Sequence, residues 1–163
     1  MEKHVHDPST CDHGECLVCQ YHGDLDRAIE HIKAQIEEYG VSVMAIYDGG
    51  PPYAYTVGMT KRGLPEGIII GEMPPETAQH WLNHLFTNAK TVVEGPVEVE
   101  AQYPQIWELV EVEDQYQEYA NMVRNIYGDD FRLMQVCYPD KDGKFPWEGG
   151  KQLYPVLPRK KDQ

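Results

Sequence analysis

The stretch Gly67-Ile68-Ile69-Ile70-Gly71 constrains the fold more than any other part of the chain. Successive side chains of a strand point to opposite faces. A short run that is apolar at every position therefore asks for cover on both faces of its sheet. Bracketing glycines mark where the strand begins and ends. A chain of 163 residues can build such a layered structure as one domain, without disulfides.

The flanking patterns supply the layers. Leu25, Ala28, Ile29, Ile32, Ile36 and Tyr39 recur at helical spacing behind Asp24, a good N-cap, and Gly40 follows as a stop. Residues 41–47 and 53–58 alternate like strands around Asp48-Gly49-Gly50-Pro51-Pro52, which predicts a hairpin. Pro74-Pro75-Glu76 opens a second helix with core face Ala78, Trp81, Leu82, Leu85, Phe86 and Ala89. Strands are expected at 92–101 and 106–112, a third helix at 115–127 and a last strand at 131–138. The order α-β-β-β-α-β-β-α-β predicts an α+β fold, three helices packed on a mixed, largely antiparallel sheet. The expected organisation is an N-terminal extension (1–23), a single domain (24–157) and a polar tail (158–163).

Charge narrows the partners. Against 14 basic side chains stand 27 acidic ones, a net charge of −13 at pH 7. A polyanion repels phosphate backbones, which argues against nucleic acid and for a protein or small-molecule partner. Arg159-Lys160-Lys161 is the one basic run and reads as a solvated tail. No apolar run suits a membrane span, and no hydrophobic segment follows the first residues, so the sequence predicts a cytoplasmic protein with reduced thiols.

Reduced, clustered thiols read first as metal ligands. Cys11, His13, Cys16 and Cys19 place four donors in nine residues, and three thiolates with one imidazole match a structural zinc set. The Cys-x-x-Cys step at 16 and 19 lets two thiolates reach one ion. His22 is an alternative fourth ligand, with His4 and His6 behind it. A second reading takes Cys11, Cys16 and Cys19 with the distant Cys137 as iron–sulfur ligands at plant-ferredoxin spacing. Against it, Cys137 lies in an apolar strand, where a lone cysteine is usually a small buried hydrophobe.

Two further stretches are dense in unusual residues. One is Tyr53-Ala54-Tyr55-Thr56-Val57-Gly58-Met59 with Leu64-Pro65-Glu66 behind it. The other is Leu133-Met134-Gln135-Val136-Cys137-Tyr138-Pro139-Asp140 with Phe145-Pro146-Trp147-Glu148 behind it. With Tyr154-Pro155-Val156-Leu157, they resemble domain-of-unknown-function family 4262 of bacteria and phages. That family carries a "YTVGL" strand end, a following "PE", an "LQVVWPD" strand end, an "FPWE" loop and a late "QP-x-L". Met59 replaces the Leu here, and Cys137-Tyr138 replaces Val-Trp. The resemblance covers about residues 41–157 and implies a shared fold without implying a reaction. Tyr55, Thr56, Glu66, Asp140, Trp147 and Glu148 could then line one cleft at strand ends, suited to a cationic or hydrogen-bond-donating ligand. The competing expectation is packing, with Phe-Pro-Trp as a lid over the end of a sheet.

Several chemistries are argued against. Only Ser9 and Ser42 are present, neither in a nucleophile elbow, and no phosphate-binding glycine loop occurs. His80 and His84 lie four apart on the second helix without a His-Glu-x-x-His pattern, and read as solvated. The leading expectation is a non-enzymatic, zinc-stabilised binding or interaction module. The alternatives are a small enzyme, with its cleft between the Tyr55-Thr56 strand end and the 140–148 loop, and an iron–sulfur electron carrier.

Overall fold

The computed structural model describes residues 25–46, 51–99, 105–150 and 153–160. The expected zinc ligands Cys11, His13, Cys16, Cys19 and His22 lie outside them. Helix α1 (Leu25–Tyr39) leads into the hairpin β1 (Ser42–Ile46) and β2 (Tyr53–Val57), then β3 (Glu66–Ile70). Helix α2 (Pro75–Leu82) continues as a π turn over Asn83–Thr87. A second hairpin, β4 (Gly95–Val99) and β5 (Gln105–Glu111), follows. A 3-10 segment (Asp114–Ala120), helix α3 (Asn121–Tyr127) and strand β6 (Leu133–Cys137) complete the core. This is the expected order, and the fold is α+β.

The six strands lie in the order β1-β2-β3-β6-β5-β4. Every pairing is antiparallel except β3 with β6, which run parallel with Glu66 opposite Leu133 and Ile68 opposite Gln135. Strand β6 thus inserts between the two hairpins, and β3 and β6 are buried along their whole length. The isoleucine run behaves as its composition demands. Ile68 and Ile70 join one core with Ile32 and Ile36 of α1 and Val123 of α3. Ile69 joins the other, with Ala78 and Leu82 of α2 and Leu85 and Phe86 of its π turn. Each such fully buried aliphatic chain contributes about 1.5–3 kcal/mol. Gly67 is there because Phe86 lies over it: a Cβ would sit 2.3 Å from that ring.

Three local expectations shift. Leu25 and Tyr39, at the ends of the α1 stripe, are exposed, while its centre is buried. The expected third helix is split: residues 114–120 are 3-10, and Ala120 leaves helical geometry at φ −109° and ψ 54° before α3 begins. The break frees the Met122 N–H, which donates to the Tyr55 hydroxyl at 3.1 Å. Third, residues 158–160 are bonded to the domain. Arg159 bridges Val112, the Lys160 N–H donates to the Glu111 carbonyl at 2.8 Å, and the Arg159 guanidinium pairs with Glu94. The edge strand β4 carries Pro96 and Glu98, residues that discourage edge-to-edge pairing. No helix among the described residues is long and apolar enough to cross a membrane.

Candidate functional site

The first motif closes into a clamp around Glu66. This carboxylate is fully buried at the start of β3. It accepts from the Thr56 hydroxyl at 2.7 Å, the Thr60 hydroxyl at 2.6 Å and the Gly58, Met59 and Thr60 N–H groups at 3.2, 3.1 and 2.8 Å. The Met59 and Thr60 amides belong to the start of the 3-10 turn Thr60–Arg62, where N–H groups lack partners within the helix. The Thr56 hydroxyl also accepts the Gly67 N–H at 2.9 Å, tying β2 to β3. Burial pushes the Glu66 carboxyl above its ordinary range, and the hydrogen bonds from the Thr60 and Thr56 hydroxyls and the Thr60 and Gly58 amides pull it partly back. With its acceptor capacity used inside the loop, Glu66 holds structure.

The second motif also spends its carboxylates locally. One Asp140 carboxylate oxygen accepts the Asp142 N–H at 2.8 Å and the Lys144 N–H at 3.1 Å, folding the turn that Gly143 completes. Glu148 reaches back to the Phe145 N–H at 3.1 Å, capping the 3-10 turn Pro146–Glu148. Phe145 packs on the core, and Trp147 stacks flat on it at 4.7 Å while remaining 49% exposed.

The six residues expected to share one cleft do not meet. Thr56 and Glu66 sit where β3 starts; Asp140, Trp147 and Glu148 follow the end of β6, which is parallel to β3. The two groups therefore lie at opposite ends of the sheet, separated by the length of β3, about 13 Å at 3.3 Å per residue. Tyr55 lies between them, opposite Ile68, with its hydroxyl held by Met122. Burial pushes the Tyr55 hydroxyl well above the usual phenol range.

A groove of about 550 Å³ opens instead at the carboxyl end of β3. It is lined by Pro51 and Pro52, which precede β2, by Gly71 and Glu72, which follow β3, and by Leu153, Tyr154 and Pro155 of the C-terminal segment. Crevices beyond the carboxyl ends of parallel strands are common ligand positions in α/β sheets. Gly71 is required there, because a Cβ would lie 2.0 Å from the Tyr138 hydroxyl, which donates to the Ile70 carbonyl at 2.9 Å. The C-terminal wall is strapped to β6. The buried Gln135 amide donates to the Pro155 carbonyl and accepts the Leu157 N–H, both at 2.8 Å. The Tyr154 hydroxyl accepts the Tyr138 N–H at 2.8 Å and donates to the Tyr138 carbonyl at 2.7 Å. Cys137 lies buried beneath, its thiol pushed up to about 12 by burial, so it is an inert core residue at neutral pH. Glu72 is exposed and is the one carboxylate among the described residues that line the groove.

The match to a family model completes this picture. The model described as a domain of unknown function, DUF4262, matches residues 35–152. The chain belongs to the DUF4262 family. The match takes in both motif corners, the groove residues Gly71 and Glu72, and the Gln135 that straps the C-terminal wall. No curated protein and no solved structure matches the chain.

Sequence reasoning passed over Glu72. Its signal was present: a carboxylate directly after an all-apolar strand and its closing glycine. The groove walls carried no comparable signal, since they come from segments about 20 and 80 residues away in the chain.

Proposed function

We propose that this DUF4262 chain is a binding module whose ligand occupies the groove between Pro52, Glu72 and Leu153. The observation that carries the reading is the groove itself: an open, largely apolar trough with one carboxylate in its described lining. Such a lining suits a ligand with an apolar body and a cationic or hydrogen-bond-donating end, with Glu72 as its partner. The alternative of an enzyme working between the two motifs loses its acid–base pair, because Glu66, Asp140 and Glu148 each serve a local loop. We also propose zinc at Cys11, His13, Cys16 and Cys19, with His22 as alternative ligand, a reading supported by donor spacing.

The groove is tested with a fragment panel divided into cationic, neutral and anionic members, mapped by amide NMR shifts. Cationic amphipathic fragments should move Gly71, Glu72, Leu153 and Tyr154, and Glu72→Gln should weaken them about tenfold. Shifts clustered elsewhere, or no preference for charge, would discard the groove as the site. Elemental analysis of the purified full chain tests the metal: one zinc per chain is expected, and metal-free protein with freely labelled thiols would end that reading.

A further inference from the structure

Apart from the groove, the described surface holds a second arrangement of donors. His80 and His84 are exposed, one turn apart, where α2 passes into its π turn. Their rings are within 8° of parallel, with centroids 6.4 Å apart. Trp81 stands edge-on beside both, its ring centroid 4.9 Å from that of His80 and 6.1 Å from that of His84. Trp81 is itself half-buried against Trp107 at 4.6 Å and packs on the second core, so one flank of the pair is fixed. The Asn88 N–H to Asn83 carbonyl bond, at 2.9 Å, closes the wide turn around His84. Such π turns are frequent at functional sites. Neither imidazole hydrogen-bonds to another described residue, so their nitrogens face water.

We propose that His80 and His84 together chelate an exchangeable first-row transition-metal dication, with water filling the remaining positions. Two imidazoles on one helix face suit borderline cations such as Ni²⁺, Cu²⁺ and Zn²⁺ rather than the oxygen-seeking Mg²⁺ and Ca²⁺. Side chains four apart on a helix are neighbours, so one nitrogen of each ring can reach a common ion. Among the described residues no third His, Cys, Asp or Glu joins them, so the site is open and its ion exchanges freely, unlike a closed four-ligand zinc centre. The net charge of −13 raises the local cation concentration and favours loading. The pair shares no residue with the groove or with the Cys/His segment.

The test is a Ni²⁺ titration of the full-length chain, followed through histidine ring protons and amide signals. Nickel of this kind is paramagnetic and perturbs what lies near it. The account expects the His80 and His84 ring signals to respond together, with the amides of residues 79–85, at one ion per pair. His80→Asn and His84→Asn should each weaken that response at least about tenfold. Both side chains are exposed, so the variants should keep the dispersed spectrum of the folded chain. Nickel effects confined to residues 1–24, or an α2 response that survives either substitution, would overturn the proposal. Mg²⁺ at the same concentration should leave α2 unmoved; an equal Mg²⁺ response would reduce the site to nonspecific charge attraction and overturn it as well.

Discussion

The two ends of β3 use a glutamate in opposite ways. At its start, Glu66 is fully buried and receives five hydrogen bonds from the end of β2 and the loop that follows it. Just past its end, Glu72 is exposed and lines an open groove. Both are carboxylates flanking the same apolar strand, yet one is consumed by the fold and the other is available to a ligand. In a chain with 27 acidic side chains the residue type says little. The count of donors already aimed at the carboxylate decides its role.

The largest effect should come from breaking the closed end. Glu66→Gln turns an acceptor into a donor facing the Gly58 and Thr60 amides, and should cost about 3 kcal/mol in urea denaturation. Glu72→Gln should stay within about 0.5 kcal/mol, as an exposed change does. Equal losses from the two would erase the contrast. Next comes the strap on the open end: Gln135→Leu strips partners from the Pro155 carbonyl and the Leu157 N–H, costing about 2 kcal/mol and loosening the groove wall. Fragment affinity should fall with it, whereas an unchanged groove would show that the wall stands without the strap.

The smallest effect concerns pH. The Arg159 hydrogen bond holds the Glu94 carboxyl below its ordinary 4.5, while burial holds Glu66 above 4.5. A lowered folded value stabilises above the unfolded pKa and is lost as pH falls through the folded one. The advantage of wild type over Arg159→Ala, a few tenths of a kcal/mol for so exposed a pair, should therefore vanish on acidification below 4.5. Glu66 has the opposite sign: its contribution is complete below 4.5 and declines as pH rises through its raised folded value. Carbon-13 titration of the side-chain carboxyls should place Glu66 above Glu94, and the reverse order would contradict both environments.

Local patterning made the elements legible. The stripes of α1 and α2, the glycine-bracketed isoleucines and the Pro-Pro turns each announce themselves within a few residues. The split of the third helix did not, because Tyr116, Tyr119, Ala120 and Val123 face inward in either helical geometry. The N–H that the break frees at Met122 finds the Tyr55 hydroxyl, 67 residues away in sequence. The site was illegible for a related reason. Nothing local states that β6 inserts beside β3 in parallel, yet that pairing sends the two motifs to opposite ends of the sheet and leaves Glu72, Pro52 and Leu153 together. Both motifs were visible, and their roles depended on a pairing of strands more than 60 residues apart.

The claim that the open end of β3 is the binding end is tested most directly by a crystallographic soak with the cationic fragments. Density is expected between Pro52, Leu153 and the Glu72 carboxylate, with the Thr56–Glu66 corner unchanged. Density at that corner, or a groove left empty at saturating fragment, would contradict the account.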